Sequence, residues 1–111
     1  MKVYGQTLNL KDNPAIINRY LEHHHHVWPE VEQGLRAIGI KRMLIWILGR
    51  RLFMFMETED GFDPARDFAR YEASDPKTRE WQALMASMQE PVTEAKQGEL
   101  WAEMKLAYAL E

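Results

Sequence analysis

"MLIWILGRRLFMFME", residues Met43 to Glu57, places two short apolar runs on either side of Gly49-Arg50-Arg51. Short runs rich in Ile, Phe, Trp and Met around a glycine predict two antiparallel strands joined by a tight turn, Met43 to Leu48 and Leu52 to Glu57. Successive side chains of a strand point to opposite faces. Both runs are apolar at consecutive positions, so the sheet they form needs a cover on both sides.

Outward from this hairpin the chain repeats one helix-start grammar. Asn13-Pro14, Asp63-Pro64 and Asp75-Pro76 each set a capping residue before a proline at the first helical position, where the missing N–H costs nothing. The predicted helices run from Pro14 towards Val27, from Pro29 with Val31, Leu35 and Ile38 inward, from Pro64 to Ala73 with Ala65, Phe68 and Ala69 inward, and from Pro76 to Met88 with Trp81, Leu84, Met85 and Met88 inward. Pro29 breaks the first pair at Trp28, and Gly39 ends it. Val3 to Leu10 reads as a strand before these helices, Glu90 to Gly98 as a loop after them, and "LWAEMKLAYAL", Leu100 to Leu110, as a final strand. The order β-α-β-β-α-β gives an α+β protomer of ferredoxin-like type spanning residues 1–111 as one domain. Its helices cover one sheet face. A second copy covering the other makes a homodimer packed sheet to sheet; shielding by the 90–98 loop in a monomer is the alternative.

Composition narrows the partners. The net charge is −3, and no Lys/Arg stripe offers a nucleic-acid footprint. The chain has no cysteine, hence neither disulfides nor thiolate chemistry, in keeping with a cytoplasmic protein. It shows no signal-peptide pattern and no apolar run near the ~20 residues of a membrane span.

"YLEHHHHVWPE", Tyr20 to Glu30, holds all four histidines. Adjacent helical residues diverge by about 100°, so the run cannot converge on one ion. Its one pair on neighbouring turns, His23 and His26, supplies two ligands, and no HExxH or Cys/His spacing supplies the rest, so no metal is expected. On a helical wheel with Tyr20 at zero, the apolar arc of Ile16, Ile17, Leu21 and Val27 contains His24 at about 40°, while His25 and His26 point elsewhere. Two roles for His24 stay open on the pattern alone. It is a structural histidine bonded beneath a helix, which the pattern favours, or a general acid/base whose ordinary pKa of about 6.5 suits proton transfer near neutrality. Trp81 is likewise a core residue or a stacking platform for a sugar ring. Arg50 and Arg51 read as a solvated turn.

The stretch Tyr20 to Glu57 resembles the L-rhamnose mutarotase family. The shared features are a tyrosine, a histidine four residues on and a Trp-Pro-Glu, here Tyr20, His24 and Trp28-Pro29-Glu30, followed by the hairpin, the "SDPKTREWQALM" helix with its tryptophan, and a late tyrosine, here Tyr108. The resemblance implies a dimeric α/β barrel of ferredoxin-like protomers without a cofactor, interconverting the α and β anomers of a 6-deoxyhexose. It assigns the proton-transferring histidine to His24 and substrate contacts to Tyr20 and Trp81, with Trp28 as a further wall. The chain departs from the family at two substrate-facing positions, carrying Gln82 where a second tryptophan is common and Met43 where a tyrosine is common. These leave the choice between L-rhamnose, the first expectation, and L-fucose, a close second. Ring opening requires a proton on the ring oxygen as the anomeric hydroxyl loses one. His24 would give one proton and recover one, with a Tyr20-held water or Glu30 as the base. A cofactor-free monooxygenase or a non-catalytic sugar-binding module of the same architecture is the competing reading.

Overall fold

The computed structural model describes residues 1–111. Five strands and four helices follow in the order β1 (Lys2–Leu10), α1 (Pro14–His25), α2 (Pro29–Ala37), β2 (Ile40–Leu48), β3 (Arg51–Thr58), α3 (Pro64–Ser74), α4 (Pro76–Ala86), β4 (Gln89–Glu90) and β5 (Ala102–Met104). The sheet runs β2-β3-β1-β4 with every pairing antiparallel, and β5 also pairs with β1, beside β4. Taking β4 and β5 as two pieces of one last strand gives the ferredoxin-like arrangement, with each crossover helix split in two at a proline.

Local chemistry sets the element ends. Asn13 Oδ1 accepts from the Ala15 and Ile16 N–H groups, Asp63 from Arg66 N–H and Asp75 from Lys77 N–H, so all three predicted caps are made. Trp28 occupies the cap position of α2 without a side-chain bond, and Pro29 starts that helix. The hairpin closes on a two-residue turn, Gly49-Arg50, with Leu48 opposite Arg51. Gly49 lies at φ 62 in its first central position, where glycine suits the twist of the strands. Arg50 is not merely solvated: its Nη1 donates to the Leu10 carbonyl at 2.9 Å and to Glu90 Oε2 at 3.0 Å, tying the turn to β1 and β4.

A bulge sets the facing of β2. Ile40 pairs with Thr58 and Arg42 with Glu57, leaving Lys41 as the extra residue. The shift re-phases the alternation, so Met43, Ile45 and Ile47 oppose the buried Met56, Met54 and Leu52 and share their face. That face joins Leu8 and Leu10 of β1, Tyr20, Val31, Tyr71, Trp81 and Met85 of the helices, and Met88 in one core. Gly34 permits the close approach of α2 to α3, since a Cβ there would meet the Tyr71 ring at 2.9 Å.

Two expectations are corrected. The inward face of α3 is Asp67 and Tyr71 with Phe68 half-buried, while Ala65 and Ala69 are exposed. Asp67 is buried because its carboxylate folds back onto its own helix start, accepting from Asp63 N–H at 2.8 Å and pairing with Arg66 and Arg70. These partners hold its carboxyl down at about 2. The final strand spans Ala102–Met104, not Leu100 to Leu110. Past Met104 no strand of the same protomer pairs with the chain, and Leu106, Tyr108 and Leu110 stand exposed.

Candidate active site

A cavity of about 730 Å³ lies between the inner face of the sheet and the helices, within the size range of small-molecule pockets. Its lining is mostly apolar. Gln6, Tyr20, His24, Gln82 and Gln89 bring uncharged or titratable polar groups to it, and Glu32, Arg36, Lys41, Arg42 and Glu72 line it with charged ones.

α1 supplies the two central side chains. Tyr20 and His24 sit one turn apart on the inward face, Tyr20 being only 2% exposed. Their rings lie 4.3 Å apart between centroids at a 31° tilt. His24 Nδ1 is 2.9 Å from the Tyr20 carbonyl oxygen. A carbonyl only accepts, so Nδ1 carries the hydrogen and donates it, leaving Nε2 as the free nitrogen with a lone pair when the ring is neutral. Burial lowers the His24 pKa below its ordinary value; the bond to the Tyr20 carbonyl works against this, and His23 and His25 add to it. Burial pushes the Tyr20 hydroxyl up to about 12, against a smaller downward pull from the Gln89 side chain. At neutral pH the site therefore holds a neutral imidazole next to a protonated phenol.

Trp81, 5% exposed, lines the cavity and meets His24 edge-on at 5.5 Å and His23 at 6.2 Å. Met43 and Gln82 also line it. Trp28 does not. It packs edge-on against Trp81 at 5.2 Å, with Lys77 Nζ 5.1 Å from its ring centroid, so it buttresses the wall from behind. Glu30 is also outside the lining. His25 and His26 are exposed, and His26 faces Glu22 at 3.5 Å. The lining also includes residues that the sequence does not single out, among them Gln6, Gln89, Trp101 and the charged Glu32, Arg36, Lys41, Arg42 and Glu72. Gln6 was detectable, since strand alternation sets it on the face of Leu8 and Leu10 and an isolated amide on an apolar face is a signal. Gln89 opens a stretch that reads as a loop, and Trp101 reads only as part of the final strand.

The profile of the L-rhamnose mutarotase family matches residues 3–110. The chain belongs to the L-rhamnose mutarotase family. It is 40% identical over 113 aligned residues to a UPF0734 protein of Dictyostelium discoideum, covering 99% of this chain and 90% of that one. It is 38% identical over 105 residues to an L-fucose mutarotase of Xanthomonas campestris, covering 93% and 83%. Among solved structures, an L-rhamnose mutarotase from Formosa agariphila superposes with a TM-score of 0.72 over 100% of both chains at 18% identity. Tetracenomycin F2 cyclase from Streptomyces glaucescens superposes at 0.59 over 100% of this chain and 98% of its own, at 14% identity. At those identities the two structures speak for the fold of this mutarotase-family chain, and the family match speaks for sugar anomers as its chemistry.

Proposed function

We propose that the protein interconverts the α and β pyranose anomers of L-fucose, with L-rhamnose as the second substrate, and that His24 transfers the proton. The observation carrying the reading is the free Nε2 of a neutral, half-buried imidazole at a cavity of small-molecule size. Mutarotation moves one proton off the anomeric hydroxyl while the ring oxygen gains another. Nε2 is the acceptor for the first, so His24 starts as a base, and a positioned base of this kind accelerates by about 10²–10⁴-fold. Trp81 offers an apolar wall to the carbon face of the sugar. The 38% identity to an L-fucose mutarotase turns the order of substrates towards L-fucose, in line with Gln82 and Met43 at the lining. Exchange NMR of free L-fucose, L-rhamnose and a panel of other aldoses tests this. Faster exchange for L-fucose than for L-rhamnose is expected; equal or reversed rates would overturn the order, and no acceleration for either sugar would overturn the function.

The same reading includes a homodimer. Val3, Trp46, Leu48 and Met104 are exposed on the sheet face that no helix covers, and Trp46 stacks on Phe53 at 5.6 Å. The tail beyond Met104 keeps a strand-like alternation, Leu106, Tyr108 and Leu110, without a strand to pair with. A second copy offers both an apolar face of the same shape and an edge for the tail. Sedimentation equilibrium at micromolar concentration should give twice the 13.1 kDa chain mass; a 13.1 kDa species there would refute the dimer.

A further inference from the structure

Aromatic residues aside, four polar residues are buried: Thr58, Asp67, Thr78 and Gln89. The first three are satisfied within the chain. Thr58 donates to the Glu59 carbonyl, Asp67 accepts from Asp63 N–H and pairs with two arginines, and Thr78 donates to the Tyr71 and Asp75 carbonyls. Gln89 is different. It is 7% exposed, its amide makes no hydrogen bond with the protein, and neither of its polar atoms is sealed off. What reaches them is the cavity that Gln89 lines. Strand pairing aims the side chain there: Gln89 lies opposite Leu10 of β1, while the next residue, Glu90, turns to Arg50. A buried amide without a partner is costly, so the partner of this one comes from the cavity, water when the site is free and a ligand when it is filled.

The rest of the polar lining is more open. Glu32, Arg36, Lys41, Arg42 and Glu72 are exposed, as is Gln82, and Gln6 is half-buried. An exposed group exchanges one hydrogen bond for another when a ligand arrives and discriminates little. A buried one discriminates strongly, because the wrong ligand leaves it unpaired. Gln89 is also near the chemistry. Its side chain acts on the Tyr20 phenol, whose ring lies 4.3 Å from that of His24, so the amide belongs to the same end of the cavity as the imidazole. An amide donates through nitrogen and accepts through oxygen, which suits a sugar hydroxyl in either sense. We propose that Gln89 is a substrate-binding, specificity-determining residue: its amide bonds the C2 or C4 hydroxyl of the sugar whose anomeric end meets His24. These are the two carbons at which L-fucose and L-rhamnose differ in configuration, so Gln89 takes part in ranking the two sugars. The proposal rests on the mutarotase reading.

Crossing Gln89→Met with deoxy sugars is the test, each rate being taken relative to that sugar's own exchange in buffer. The variant keeps the side-chain length without the amide. On L-fucose it should lower kcat/KM about 3- to 10-fold, the effect of one hydrogen bond, and the preference between L-fucose and L-rhamnose should change with it. Deleting the C2 or the C4 hydroxyl of L-fucose should cost the wild type a similar factor at one of the two positions, and cost Gln89→Met nothing further there. A packing defect would instead slow every sugar by one factor, so equal losses in both proteins at both positions would overturn the proposal, as would an unchanged preference. Wild-type exchange at the buffer rate would instead remove the mutarotase reading. The side-chain amide resonance of Gln89 in ¹⁵N-labelled wild-type protein reads the contact apart from catalysis and needs no variant. It should shift on titration with L-fucose, and an unmoved resonance at sugar concentrations well above KM would contradict the contact.

Discussion

Met56 and Phe55 are neighbours on β3, yet Met56 is fully buried beneath the helices while Phe55 faces the side that no helix covers. The two sheet faces are built from the same residue types. The inner one carries Leu8, Leu52, Met54 and Met56 against the helix layer and, where that layer stands off, the cavity. The outer one carries Leu44, Trp46, Phe53 and Phe55, with no helix over them; Trp46 is exposed and the other three half-buried. Gly5 on that outer face has the Phe53 ring 3.2 Å from where a Cβ would sit, so an aromatic side chain lies across the strand backbone and flattens the surface. Hydrophobicity alone does not distinguish the two. What differs is the partner: for the inner face it is specified within the chain by capped helices, and for the outer face the proposed partner is a second copy of the chain.

Substitutions on the two faces should therefore fail in different ways. The largest effect is expected from Trp46→Glu on the outer face, which would bury an unpaired charge between protomers and weaken self-association by about 3–5 kcal/mol. Sedimentation should show a monomer with protomer secondary structure retained; an unchanged dimer would place the contact elsewhere. On the inner face, Met56→Ala should lower protomer stability by about 2–5 kcal/mol through lost burial and the cavity left behind, read by urea unfolding at several protein concentrations. A smaller loss would mean that the existing cavity absorbs the change.

The pH dependence sharpens the contrast between buried and exposed histidines. Burial lowers the His24 pKa, so the neutral, proton-accepting form persists as pH falls through 6.5. The kcat/KM profile should stay level to below pH 6.5 and then fall with a slope of one proton, whereas a requirement for imidazolium would make the rate rise on acidification. The stability arising from burying this neutral ring has the same sign: it is fully present above 6.5 and is lost as pH falls through the lowered folded-state value. Least effect is expected from His25→Ala and His26→Ala, which lie exposed and away from the cavity and should change neither exchange rate nor melting temperature measurably.

The parts of this fold that could be read from sequence are those decided within a few residues. Asn13, Asp63 and Asp75 cap because oxygen, proline and backbone N–H are neighbours in the chain, and His24 follows from helical period counted from Tyr20. The bulge at Lys41 was not legible, because it appears only in the pairing of Ile40 and Arg42 against β3. Gln89 was hidden for the same reason, its strand existing only through Leu10. Trp28 was placed too far inward because Pro29 resets the chain direction at that residue. Asp67 defied the pattern, since a carboxylate satisfied by its own helix start and two arginines can be buried where an apolar residue would be expected. The final strand was read too long because its alternation continues past Met104, where its pairing stops.

The central claim is that one imidazole, His24, carries the proton between the anomers. Exchange NMR on L-fucose with wild-type and His24→Asn protein, alongside matched thermal melts, tests it most directly. The account predicts that the variant keeps the melting temperature to within a few degrees and loses catalysed exchange by about 10²-fold or more. Exchange undiminished in a folded His24→Asn protein would contradict it.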